Sequence, residues 1–193
     1  MCAPDFASCH PGYKRRRMNE RFTPFEKAAL DARQREVFDD IASGPRGTVP
    51  WIFHLYLNSP ELASRVQQLG AFCRYGTSLP RHLSELAILI VAQHWKAEYE
   101  WAIHAKEARK AGLPDAVIAA IESGRRPLFD DPDAALVHDF ATEFFRTNDV
   151  SDELFTSTVE RFGRPATVEL AGILGYYSML AIAIRIFRLQ PES

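Results

Sequence analysis

An all-α fold is predicted by three features of the sequence. Helix starts built on proline and aspartate alternate with glycine stops from Thr23 onward, no stretch shows the period-two alternation of a strand, and Pro80 to Gly112 reads as a helical hairpin. The chain has 193 residues, 47% of them hydrophobic, which suits one buried core better than two. A disordered polar leader over residues 1–22 and a single domain over 23–190 are therefore expected.

The elements follow in order. Thr23-Pro24-Phe25-Glu26 has the form of a capping box with proline at the first helical position, so a helix is expected from Pro24 to Ala42, mostly solvated. Ser43 to Gly47 breaks it. The apolar run Val49 to Asn58 is a short helix or an extended connector, since periodicity alone does not separate these. Ser59-Pro60-Glu61 opens the next helix, with Leu62, Val66, Leu69 and Cys73 as its inner face. After the hairpin, Pro114-Asp115 starts a short helix that closes at Gly124, and Arg125 to Asp131 is a loop. Asp133 to Arg146 is a helix with Ala135, Leu136, Phe140 and Phe144 on one face. Ser151 to Phe162 is another, led by Leu154, Phe155, Val159 and Phe162. Pro165 to Leu189 reads as one long helix, apolar from Leu170 to Ile184, which is shorter than the roughly 20 residues a bilayer core requires. It is expected to be a buried central or intersubunit helix, with Gly172 and Gly175 allowing close approach.

Composition narrows the partners. A net charge of -2 offers no electrostatic footprint for nucleic acid, and the basic run Lys14 to Arg17 lies in the leader, where it reads as a solvated tail. Cys2, Cys9 and Cys73 make no disulfide framework or metal spacing, so a reducing cytoplasm is the expected compartment. The leader has no apolar h-region of a secretory signal. Met18 opens the part of the sequence that first reads as foldable.

Chemistry concentrates in the hairpin. Its first arm, Arg81 to His94, is apolar beyond the opening turn yet carries Glu85, and a charge in such a helix needs a partner. On the second arm, Ala97 to Ala111, Glu100 and His104 stand four apart and share a face. A carboxylate beside an imidazole favours its charged form and holds it near neutrality as a proton donor or acceptor. The alternative for this pair is a surface ion pair, and for Glu85 a structural bond between the arms. His94 and Trp101 have the spacing of packing residues, whereas His54 sits in an aromatic run that could line a pocket. No third ligand stands at a metal-binding spacing beside His94 and His104, and no phosphate loop or nucleophile elbow is present.

The run Tyr75 to Leu89, followed by Glu98 to His104 and Ala108 to Leu113, resembles the carboxymuconolactone decarboxylase family, whose superfamily includes the alkyl hydroperoxidase D enzymes. The resemblance implies an alkyl hydroperoxidase D-like helical subunit that assembles into rings, commonly homotrimers or homohexamers. In the peroxidase branch a glutamate on the first arm is followed by Cys-x-x-Cys-x-x-x-His on the second. That pattern falls on Glu85 and His104, with the cysteine positions at Ala97 and Glu100. Without those thiols, disulfide-coupled peroxide reduction is not expected.

What the resemblance implies is a cofactor-independent decarboxylase acting on a small carboxylated lactone or a related intermediate of aromatic degradation. His104, Glu100 and Glu85 would handle the proton. Arg81 or Arg185 would bind a substrate carboxylate, with His54 and Trp101 beside it. No metal or other cofactor is called for. Isomerisation or hydration of a similar compound, and a non-catalytic oligomer that only binds its ligand, remain as alternatives.

Overall fold

The computed structural model describes residues 21–189, so Cys2, Cys9 and the basic run lie outside the described residues. Every regular element among these residues is helical. After a 3-10 turn at Lys27–Ala29 come α1 (Ala32–Ser43), α2 (Trp51–Tyr56), α3 (Pro60–Tyr75), α4 (Arg81–Trp95), α5 (Glu98–Lys110), α6 (Asp115–Glu122), α7 (Pro132–Thr147) and α8 (Asp152–Phe187).

The central element is α4. Its residues from Leu83 to Ala92 are all buried, because α3, α5, α6, α7 and α8 pack around it on every side. This explains the nearly unbroken apolar run: a helix hydrophobic all round belongs in a core. Lys96 closes it in the left-handed region at φ 52°, and Ala97 turns the chain into α5.

The first helix begins later than expected. Leu30 is extended and buried, and the box that forms is the one at Asp31, whose side chain accepts from the Gln34 N–H while the Gln34 side chain accepts from the Asp31 N–H. Such a cap is worth about 1 kcal/mol, and the earlier box at Thr23 gives way to it. Arg21 and Phe22, assigned to the leader from the sequence, already pack on the fold. The Arg21 N–H donates to the Phe187 carbonyl, and Phe22 stands edge-on to Trp51.

Two helix faces are rotated from expectation. On α3 the buried set is Ala63, Val66, Gly70 and Cys73, leaving Leu62 and Leu69 about half exposed. The reason is Gly70, where a side chain would overlap the Tyr176 hydroxyl and come within 2.7 Å of Arg46 Nη2. Only the glycine face can approach α8 so closely. On α7 the buried set is Ala134, Val137, His138, Phe140 and Ala141, while Phe144 is partly exposed.

As the sequence predicts, α8 consists of two helices, which meet at a kink at Gly163, where φ 82° and ψ 160° leave helical space. By length and apolar composition it could cross a membrane. Its Leu170, Ile173, Leu174, Tyr177, Leu180, Ala181 and Ile184 nevertheless lie buried in the core. Gly172 and Gly175 face outward with open space before them, so no helix among the described residues uses the close approach they allow.

Candidate active site

Glu85 lies on the second turn of α4, and Glu100 and His104 lie on the facing side of α5. The hairpin brings all three together. His104 Nδ1 is 2.7 Å from Glu85 Oε2, and its Nε2 is 3.3 Å from Glu100 Oε2. The first contact is a tight hydrogen bond and the second a looser ion contact along the helix. None of the three is more than 4% exposed. Ionisable groups this deep must satisfy each other, because an unpaired buried charge would cost several kcal/mol.

Protonation follows from the geometry. Burial is the largest single influence on His104 and pushes it down, but hydrogen bonding to Glu100 and Glu85, with the charges of both, outweighs it and raises the imidazole to about 9. His104 is therefore an imidazolium at neutral pH, a proton donor in its resting state rather than a group poised at neutrality.

The surrounding residues complete the balance. Arg81 reaches Glu85 at 3.8 Å but bonds more tightly to Glu107, at 2.6 Å. Arg74 stands 3.4 Å from the same Glu107 carboxylate, and its buried Nε has no hydrogen-bond partner. Lys110 also binds Glu107, at 2.8 Å, so Glu107 is held by three cations while Glu85 and Glu100 share the imidazolium of His104. Tyr177 closes the cluster from α8, its ring edge-on to His104 at 5.0 Å. Burial, reinforced by the charge of Glu100, raises the phenols of Tyr177 and of Tyr56, the latter to about 12. Both stay protonated as neutral donors beside the carboxylate.

The other expected site residues sit apart from one another. His54 packs against Phe38 and Trp51, with ring centroids 5.7 and 5.9 Å away. Trp101 follows Glu100 in sequence but points elsewhere, lining a small cavity of about 200 Å³ with Lys96, Glu98 and Glu122. Arg185 is exposed near the end of α8 and forms no ion pair with any described residue. Among the described residues no group of three or more His, Cys, Asp or Glu has the arrangement of a metal site. Conversely, Arg74, Glu107, Tyr56 and Tyr177 were not anticipated. Only Glu107 carried a usable signal, standing three residues after His104 and so on its face of α5.

Residues 60–143, spanning α3 to most of α7, match the model of the carboxymuconolactone decarboxylase family. Two solved structures share the architecture over nearly their whole length. A peroxidase-related protein from Silicibacter sp. TM1040 matches with a TM-score of 0.74 at 15% identity, covering 94% of this chain and 96% of that one. A peroxidase-related protein with an alkylhydroperoxidase AhpD core, from Ralstonia eutropha JMP134, matches with a TM-score of 0.74 at 16% identity, covering 91% and 93%. The chain has the AhpD-like helical fold, and its residues 60–143 are similar to the carboxymuconolactone decarboxylase family. The debrominase Bmp8, solved in complex with 2,3,4-tribromopyrrole, has the same fold, with a TM-score of 0.71 at 17% identity over 91% of this chain and 94% of that one. No curated protein matches the sequence.

In this fold, the two positions where the peroxidase pattern carries cysteines are Ala97, buried, and Glu100. Cys73 lies on α3 and is pushed up to about 11, chiefly by burial. At neutral pH it is a thiol, not a thiolate.

Proposed function

We propose that the protein is a cofactor-independent enzyme in which His104 protonates carbon during decarboxylation of a small carboxylated lactone or a related intermediate of aromatic degradation. The observation that carries this reading is the buried imidazolium held between Glu85 and Glu100. In such a reaction the bond from the ring carbon to the carboxylate breaks, carbon dioxide leaves, and the electron pair passes into the ring carbonyl as a dienolate. The pair then returns to form a carbon–hydrogen bond with the proton from His104. The looser contact, at Nε2, is the side from which the proton is given up, while Glu85 keeps the ring oriented through Nδ1. Neutral imidazole between two carboxylates is unfavourable, so His104 regains its proton from solvent.

Arg74 suits the developing negative charge. Its unpartnered Nε is a buried donor, already close to the charges of Glu85 and Glu107, and a donor in a dry site acts more strongly than one in water. Arg81, half exposed beside Glu85, marks the side from which substrate enters.

Assembly belongs to the same proposal. Val168, Gly172, Gly175, Ile182 and Ile186 form an outward stripe on α8 at successive spacings of four, three, seven and four residues, and the Val168, Ile182 and Ile186 side chains are 71%, 43% and 52% exposed. The spacing is that of a seam for another helix, and the occupant is α8 of a second copy.

The test is carbon dioxide release from a carboxylated muconolactone in D₂O. Wild type should release carbon dioxide and place one deuterium on the product carbon, and His104→Gln should lose about 10² to 10⁴ in rate while remaining folded. A spectral change without carbon dioxide would instead indicate isomerisation or hydration. Undiminished turnover in His104→Gln would refute the assignment.

A further inference from the structure

A second cleft, of about 920 Å³, opens between the C-terminal half of α4, the loop after α6, α7 and the start of α8. None of Glu85, Glu100 and His104 lines it. Its size falls within the range of about 300 to 1,000 Å³ typical of small-molecule sites. Ile90, Ile121 and Leu154 supply apolar wall, and the His94 ring lies stacked on Phe145 at 4.4 Å with 21° between the planes. Burial and then the nearby Lys96 charge lower His94, so the stacked ring is neutral at pH 7.

The charges of the cleft are unevenly spent. Arg126 is bound twice by Asp139, at 3.1 and 2.9 Å, and Asp139 also meets His138 at 3.0 Å. Glu143 accepts from the Ser151 N–H at 2.9 Å, tying it to the start of α8. Arg125 and Arg146 form no ion pair with any described residue, Arg125 donating through Nε to the Ser123 hydroxyl at 2.9 Å, and Glu143 and Glu153 are the lining carboxylates that likewise have no cationic partner among the described residues.

We propose that this cleft is a binding site for a planar aromatic carboxylate, its ring laid against the His94 and Phe145 stack and its carboxylate held by Arg125 and Arg146. Aromatic stacking fixes the plane of the ligand, and guanidiniums bind carboxylates through paired, charge-assisted hydrogen bonds. The site is separate from the proton-handling cluster and takes its own ligand.

The experiment is fluorescence titration of the full chain with 2-naphthoate and its neutral analogue 2-naphthamide, with amide shifts recorded by NMR. Naphthoate should bind saturably, and Arg125→Gln with Arg146→Gln should weaken it at least about tenfold, a loss of about 1.4 kcal/mol. Both arginines are exposed, so the double variant keeps its fold. Naphthamide should bind at least about tenfold more weakly than naphthoate, and the shifts should fall on Gln93, Thr142, Phe145 and Ser157. Equal affinity for acid and amide, unchanged affinity in the double variant, or shifts centred on α5 around His104 would each overturn the proposal.

Discussion

His104 has a carboxylate at each ring nitrogen, and this arrangement ties its charge to the stability of the fold. Because its pKa in the fold is raised from 6.5 to about 9, the stabilisation it contributes is fully present below pH 6.5 and is lost as pH rises toward and through 9. Denaturant unfolding followed across that window should show falling stability in wild type and a flatter profile in His104→Gln. The three residues that make this cluster were legible in the sequence because they break a pattern: a glutamate inside an apolar helix and a glutamate with a histidine one turn apart. Arg74 and Tyr177 break no pattern. An arginine at the end of α3 and a tyrosine in an apolar helix look ordinary until α3 and α8, about a hundred residues apart, are packed on either side of α4.

At the level of the elements, caps and stops located the helices from Pro60 to Glu122 well, since Pro60, Gly112 and Gly124 act through local backbone chemistry that does not depend on the rest of the fold. Faces were harder to read. Leu62 and Leu69 look more hydrophobic than Ala63 and Gly70, yet the small residues are buried because α8 approaches α3 there. Gly70→Ala should therefore destabilise by about 1 to 3 kcal/mol, as overpacking against Tyr176 and Arg46 forces a shift. Gly172→Ala meets none of the described residues and gains about 1 kcal/mol of helix propensity. Comparing the two variants by thermal unfolding at a concentration where both are monomeric separates packing from propensity. Similar losses in both would show that Gly70 is not held by the contact with α8.

For the whole molecule, the proposed seam on α8 concerns how one subunit would meet another. A subunit that buries Leu170, Ile173 and Leu180 while leaving Val168, Ile182 and Ile186 outside has two apolar faces on one helix, and among the described residues only one is covered. Multi-angle light scattering at micromolar concentration should give an oligomer, with Val168→Glu and Ile182→Glu together driving it to monomer. The helical spectrum should be kept, because neither side chain belongs to the core. A wild-type monomer would contradict the proposed seam. Exposed residues such as these carry no mark in the sequence that tells them from core residues, since both share the same apolar alphabet, and only the packed subunit shows which face is left over.

The charge state of His104 can be read without any substrate. With the imidazole nitrogens labelled with ¹⁵N and followed by NMR from pH 5 to 10, His104 should remain an imidazolium at pH 7.5 and lose its proton near 9, and Glu85→Gln should move that midpoint downward. A neutral His104 at pH 7.5, with a midpoint at or below 6.5, would contradict its role as the resting proton donor.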